Sequence, residues 1–267
     1  MALNFKPPAG ARVDWSHNLS CGLLGWWLFN ENGGNTAFDI ARNNDGTLTN
    51  GPTWVSGKFG PALNFDGTAD YVNVTDDNSL DVTTGLTLSA WIKTTWNSIG
   101  TKQIITKDTN GTNTRSFGLL IGVGAGLVSA AIFKTGNSET RLDAATGNIA
   151  NGNWHFVAAT YRFVTDGTSV LRIYVDGIQV AVTSLAKGPI LVTTTPVNIG
   201  RRPYAANENY FPGSIDNARI YNRQLSDKEV KELYVSPFAG LVQPRRPNLN
   251  EITASVPSGS GFLLGRV

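Results

Sequence analysis

Residues Tyr210–Tyr234, YFPGSIDNARIYNRQLSDKEVKELY, constrain the fold more than any other stretch of the chain. Gly213–Tyr221 reads as a strand that runs directly into a short helix. Ser226 and Glu229 have the spacing of a capping box, in which each side chain satisfies the other residue's free backbone N–H. Leu225 and Val230 stand where a hydrophobic staple closes over that cap. Val230, Leu233 and Tyr234 then share one helical face, and Pro237 ends the run. In the strand, Asp216 has the parity of Ala218 and Ile220, which sends all three to one face. If that face is the core, a carboxylate lies indoors and must be paired or hold a cation.

The remainder is strand-like text broken by turns. Gly22–Phe29 is a nearly continuous apolar run. Leu86, Leu88, Ala90 and Ile92 alternate with Thr87, Ser89 and Trp91, the period of a strand. Gln103–Lys107, Ser116–Ile121, Leu127–Phe133, Asn153–Tyr161 and Val197–Arg201 supply further strands. Val170–Ser184 carries Asp176-Gly177 between two apolar runs, the signature of a type I′ hairpin. Many short strands with turn signals between them describe a two-sheet sandwich. With 267 residues, 29 of them Gly, and no internal repeat, one large sandwich is the economical reading.

Several partners and chemistries are excluded by simple counts. A net charge of +2 without a basic stripe does not suit nucleic acid. No apolar run approaches the ~18 residues that would cross a membrane. Residues 1–20 carry no apolar segment of a signal peptide, so synthesis and initial residence in a cytoplasm are expected. Cys21 is the only cysteine; it excludes an internal disulfide and is expected to be a small buried residue at the start of a strand. Paired catalytic carboxylates for retaining glycoside hydrolysis need a separation of ~5–5.5 Å, which same-face strand positions provide. Glu31, Glu139, Glu208, Glu229, Glu232 and Glu251 form no such pair. His155 and His17 have no nucleophile turn to serve. The chain is therefore expected not to be an enzyme.

Five segments resemble one family in the expected order. They are Gly57-Lys58-Phe59-Gly60; Ala62–Gly67 with Asp70-Tyr71-Val72; WHFVAATY from Trp154; LRIYVDGIQV from Leu171; and the closing Gly213–Ser226 run. Together they look like the laminin-G-like, concanavalin-A-type jelly rolls of the lectin and glucanase superfamily. The resemblance implies an all-β, two-sheet antiparallel jelly-roll sandwich with a short C-terminal helix. It spans about residues 21–235, leaving an N-terminal arm at 1–20 and a Pro- and Gly-containing tail at 236–267. It also implies one structural Ca²⁺ tying the first strand's exit loop to the closing strand. Asp216 would be the carboxylate ligand, with Asn30 and the loop Asp39–Gly46 completing the cage. Hard oxygen donors of this kind suit Ca²⁺. Asn30 stands where the family more often has Asp, which removes a charge from that site. The alternative for Asp216 is an Arg or backbone N–H partner.

A sugar site would use aromatic and amide or carboxylate side chains on loops. Trp96, Asn97, Tyr204, Asn207, Glu208 and Tyr210 meet that description, although loop aromatics also serve as plain anchors. Trp26, Trp27, Trp54, Trp91 and Trp154 read as core. The flanks, Arg12–His17 with Leu23–Glu31 and the Pro237–Pro247 text, look like jelly-roll proteins of tailed bacteriophages. Phe5 and Trp15 in front, and Phe238, Arg245, Arg246, Phe262, Leu263 and Leu264 behind, would then be assembly arms, although the arginine pair alone reads as solvated linker charge. The expected role is a virion-surface decoration or adhesion protein that docks on capsid or tail proteins or on further copies of itself, with host or environmental glycans as ligands. The alternative is a carbohydrate-binding module of a bacterial cell-surface or secreted protein.

Overall fold

The computed structural model describes residues 5–242, except 110, 112, 123, 125, 135–137, 145, 165–168, 186–187 and 204–208. In chain order the strands are β1 Leu23–Trp27, β2 Thr36–Ala37, β3 Gly46–Thr49, β4 Thr53–Ser56, β5 Pro61–Asp66, β6 Tyr71–Val74, β7 Gly85–Lys93 and β8 Lys102–Asp108. They continue with β9 Arg115–Ile121, β10 Val128–Lys134, β11 Ser138–Asp143, β12 Trp154–Arg162, β13 Ser169–Val175, β14 Ile178–Leu185, β15 Val197–Ile199 and β16 Pro212–Tyr221. A helix, α1 Asp227–Val235, comes after β16.

Two antiparallel sheets of eight strands form a sandwich. One runs β14-β13-β12-β7-β16-β5-β4 with β1 also on β16; the other runs β11-β10-β9-β8-β15-β6-β3-β2. The space between them is filled as the alternation of β7 predicts, by Leu86, Leu88, Ala90 and Ile92 against residues such as Phe117, Leu119 and Ile121. The expected hairpin closes at Asp176 and Gly177, with φ of 51° and 76°. Positive φ at both central residues is the type I′ geometry, and it matches the twist of the flanking strands.

The outer face of the β7–β16 sheet is not left to water. A second apolar core covers it, made by Trp26, Trp91, Phe156, Tyr174 and Tyr221 from the strands and by Leu225, Val230 and Leu233 from the helix region. Thr87, Ser89 and Trp91, on the polar-looking side of β7, are therefore buried as well. The capping box sets the helix down on this face: Ser226 Oγ accepts from the Glu229 N–H, and the Glu229 carboxylate accepts from the Ser226 N–H at 2.9 Å. Tyr234 then stacks on Trp91 with ring centroids 5.6 Å apart.

Cys21 departs from expectation. It is exposed, capping the short 3₁₀ turn Asn18–Ser20 before β1 begins. The chain has not yet entered the sheet there, so the apolar run to its C-terminal side does not bury it.

Leu233 is fully buried under the helix. Its replacement by Ala is expected to lower stability by ~2–5 kcal/mol through lost transfer and a residual void; an unchanged denaturant midpoint would contradict the packing. The cap has a pH signature of its own. Burial pushes the Glu229 carboxyl up, but Arg223 and the Ser226 N–H and hydroxyl together hold it below its ordinary 4.5. A depressed carboxyl contributes stability above its unfolded value and loses it as pH falls through the folded one. The stability advantage of the natural protein over Glu229→Gln should thus be full near neutrality and shrink on acidification, as measured by urea unfolding at a series of pH values.

Candidate functional site

Strand β16 does not keep the simple alternation read from its sequence. Asp216 pairs with Trp91 while Arg219 pairs with Ser89, so one extra residue is accommodated on β16. Asn217 takes it up in a left-handed conformation, φ 53°, which Asn tolerates better than most residues. The bulge corrects the expected parity. Ile215, Ala218 and Ile220 face the inter-sheet core, whereas Asp216 and Arg219 lie opposite Trp91 and Ser89 and share their outer face.

That face is covered, so three polar functions along the bulge are buried: Asp216, Asn217 and Arg219 are all fully enclosed. Each needs a partner, and each finds it in a flank or at the strand nearest a flank. Asn217 Oδ1 accepts from Trp26 Nε1 at 2.6 Å, and its Nδ2 donates to the Pro237 carbonyl at 3.3 Å. Arg219 also donates to the Pro237 carbonyl and lies 4.0 Å above the Trp26 ring. Asp216 faces Lys6, whose Nζ is 2.5 Å from Oδ1 with both side chains almost wholly buried.

The same Lys6 ammonium donates to the Phe29 carbonyl at 3.0 Å and to the Pro61 carbonyl. It thus joins the exit of β1, the start of β5 and the bulge of β16. Burial pushes the Asp216 carboxyl up to about 6, with the Lys6 charge drawing it back down. Burial pulls the Lys6 ammonium below its ordinary range, and Asp216 opposes that. The Lys6 ammonium is the main counter-charge of Asp216, and the Lys58 backbone N–H also favours its ionised form.

The Gly57-Lys58-Phe59-Gly60 motif builds the wall of this site. The Gly57 N–H donates to the Gly60 carbonyl at 2.6 Å, and the Lys6 N–H donates to the Phe59 carbonyl at 3.0 Å. A Cβ at Gly57 would stand 2.6 Å from the Ala62 Cβ and 3.1 Å from Asp216 Oδ2. Any larger residue would push the carboxylate away. Phe59 packs edge-on to both Trp91 and Phe238 at 5.1 and 5.4 Å.

The structure does not bring the expected calcium ligands together. Asp216 and two carbonyls form an oxygen set that suits a cation, but a lysine ammonium fills it. Asp39 accepts from the backbone N–H groups of Trp26, Ala41, Arg42 and Asn44 at 2.7–3.1 Å, which consumes both its oxygens. Asn30 donates to the Pro7 carbonyl at 2.9 Å. Gly46 lies in β3 of the other sheet, where a Cβ would strike Val72 at 2.4 Å. Among the described residues, no group of three or more His, Cys, Asp and Glu side chains could hold a metal ion.

The arms also differ from expectation in part. Phe238 is not an external anchor; it is buried in the chain's own second core with Val13 and Leu241, and Val13 and Leu241 pair as an antiparallel bridge. The folded unit therefore extends beyond residues 21–235 at both ends. Phe5 and Trp15 remain exposed, at 78% and 54%. Arg245, Arg246, Phe262, Leu263 and Leu264 lie outside the described residues.

A groove of about 540 Å³ opens on the uncovered end of the same sheet, lined by Ser56, Asn64, Lys93, Thr94, Thr95 and Ser214 with Asp66 at its rim. Thr94 Oγ1 accepts from the Trp96 N–H at 3.0 Å and donates to the Pro212 carbonyl at 2.6 Å, which fixes the Trp96 loop beside the groove. Trp96 is half-buried, with Lys102 5.9 Å from its ring, and Asn97 is exposed. Tyr210 sits with Tyr71 and Arg201: the ring centroids are 6.4 Å apart, and the guanidinium is 4.2 Å from the Tyr71 ring and 5.8 Å from that of Tyr210. Tyr204, Asn207 and Glu208 lie outside the described residues. Sequence reasoning missed Lys6, Asn64, Thr94 and Ser214.

The model of the concanavalin A-like lectin/glucanases superfamily matches residues 66–231, more than half of the chain. The chain belongs to this superfamily. No curated protein sequence matches. Among solved structures, the binding domain of Paraclostridial Mosquitocidal Protein 1 is similar at a TM-score of 0.66 and 15% identity, over 83% of this chain and 53% of that one. Domain 4 of AbnA, a GH43 extracellular arabinanase from Geobacillus stearothermophilus solved with arabinotriose, aligns at 0.58 and 20% identity over 79% of this chain and 98% of that one. The binding domain of botulinum neurotoxin DC in complex with SialylT aligns at 0.60 and 16% identity over 82% and 52%. This chain spans about half the length of the two toxin domains. These likenesses show the fold, a two-sheet antiparallel sandwich.

Because Phe238, Leu241 and the Pro237 carbonyl complete the second core, a chain ended after Val235 should be destabilised. Each lost apolar side chain is worth ~1.5–3 kcal/mol, and Asn217 and Arg219 lose an acceptor. A truncated domain that kept its melting temperature would show that the tail is dispensable.

Proposed function

We propose that this chain is a non-catalytic, glycan-binding domain displayed on a tailed-bacteriophage particle, with the Trp96 groove as its binding site. The groove carries the reading. Its lining includes the hydroxyl and amide side chains of Ser56, Asn64, Thr94, Thr95 and Ser214, which match the hydroxyls of a saccharide, with Lys93 and Asp66 beside them. Trp96, half-buried against the inter-sheet core, follows directly on Thr95 and would supply the aromatic edge. The fold neighbour solved with arabinotriose and the one solved with SialylT support the same class of ligand. Tyr210 and Tyr71, with Arg201 between them, offer a second aromatic edge for a longer chain.

We read the groove as a binding site and not a hydrolytic one. Among the described residues, Asp66 is its only carboxylate, and that group is turned onto its own loop, accepting from the N–H groups of Thr68 and Ala69 at 2.8 and 2.9 Å. Glycoside hydrolysis through two carboxylates has no second member there.

The virion setting rests on the flanking text. Capsid or tail proteins, or further copies of the chain, would be held by Phe5 and Trp15 and by residues 243–267. A carbohydrate-binding module of a bacterial surface or secreted protein is the second reading, favoured by the likeness to a whole domain of an extracellular arabinanase.

On a glycan array the natural protein should bind saccharides, and Trp96→Ala should weaken that binding about tenfold, the loss of ~1.5 kcal/mol of stacking. An array with no ligand, or binding indifferent to Trp96 and Asn64, would place the site elsewhere. No reducing ends should be released from polysaccharides; release that disappears on replacing a single Glu would make this an enzyme. Mass spectrometry of purified particles separates the two settings.

A further inference from the structure

The oxygen cage at the bulge of β16 is a cation site, and the chain fills it from its own N-terminal arm. We propose that Lys6 is the resident cation of this domain, that docking of the arm takes the place of metal loading, and that the folded protein neither needs nor binds Ca²⁺ at Asp216.

Three observations carry this. The Lys6 ammonium touches one carboxylate and two carbonyls from three separate strands, Asp216 of β16, Phe29 at the end of β1 and Pro61 of β5. A structural metal would make the same three connections, but from solution rather than from a tethered side chain. The site is also shaped for a long aliphatic stem. The stem runs along Gly60, whose φ of 149° suits glycine and whose Cα side lies in van der Waals range of the Lys6 Cβ and Cδ. Finally, the backbone on both sides of Lys6 is held: its own N–H donates to the Phe59 carbonyl, and the Pro7 carbonyl accepts from Asn30. Asn30 stands beside the cage and spends its amide on the arm.

Asp216 is the carboxylate in direct contact with the ammonium, and Glu31, largely buried on the exit loop of β1, adds its charge to the same lysine. Arg219, on the same face, is served by the Pro237 carbonyl and the Trp26 ring. Placing Ca²⁺ beside Asp216 with Lys6 still docked would bury excess positive charge, which is strongly unfavourable in a dry site. A divalent ion can enter only if the arm leaves.

The test uses the full chain and thermal unfolding in excess EGTA and in millimolar CaCl2. The melting temperature should be the same in both. Lys6→Met should lower it by many degrees, since a lone buried carboxylate is left behind. The double variant Lys6→Met with Asp216→Leu should recover most of that loss, because removing both charges avoids the unpaired one. Limited trypsin digestion supplies an independent reading: cleavage after Arg12 should be slow in the natural protein and fast in Asp216→Asn, whose arm has lost its anchor. Stabilisation of the natural protein by CaCl2 would overturn the proposal. So would a double variant no more stable than Lys6→Met, or an Asp216→Asn arm as resistant to trypsin as the natural one. If Lys6→Met does not fold at all, the double variant and the protease reading still decide. Neither depends on glycan binding, so failure here leaves the groove untouched.

Discussion

Polar groups buried in a dry core must be matched, and here that requirement is concentrated on three neighbouring residues of the closing strand. Asp216, Asn217 and Arg219 sit at a bulge on the one sheet face that the fold covers from outside. Their partners are a lysine near the N-terminus, an indole of the first strand and a carbonyl beyond the last helix. The flanks are thereby recruited into the folded unit. Apolar contact alone could hold Val13 or Phe238 in several ways, but an ammonium facing a carboxylate at 2.5 Å specifies one.

The second core depends on the same face. Once Trp26, Trp91 and Phe156 stand on the outside of the sheet, something must cover them, and the helix and the two flanks do so together. Beyond this cover the groove opens at the Lys93–Thr95 end, and a second hollow of about 760 Å³ opens at the opposite end, beside Gly85, Arg162 and Arg223. The polar bulge lies under the covered part of the sheet, and the groove proposed for glycans opens just beyond it, where Lys93 pairs with Ser214.

Much of this fold is legible in the sequence because it depends on local spacing. The capping box at Ser226 and Glu229, the Asp176-Gly177 turn and the alternation of β7 are all short-range patterns, and the structure has them. The family motifs also place the sandwich correctly. Parity along β16 is misread from sequence because a bulge adds one residue and reverses the facing of every later side chain. Its trace is visible in the spacing of Ile215, Ala218 and Ile220, three and then two. Lys6 is out of reach, being separated from Asp216 by most of the chain, and nothing in its immediate neighbours marks it for burial. The Gly57–Gly60 motif is recognisable as family text, while the tight space at Gly57 beside Ala62 and Asp216 emerges only from the contacts. The reading of Phe238 as an outward anchor fails for a related reason: an isolated apolar residue in an irregular tail looks the same whether it meets a partner or its own sheet.

The antiparallel pairing of the chain's two ends has a mechanical meaning. Leu23, at the beginning of β1, lies beside Tyr221, at the end of β16, and the Val13–Leu241 bridge sits outside them in the same sense. A load applied at Val13 and Leu241 therefore opens these contacts one after another from a single side, like a zipper, whereas a load applied ahead of Lys6 must first break that residue's contacts with Asp216, Phe29 and Pro61. A domain tethered in this way yields gradually at its base, while the distal Trp96 end, which shares none of those contacts, stays shaped until the base has given way.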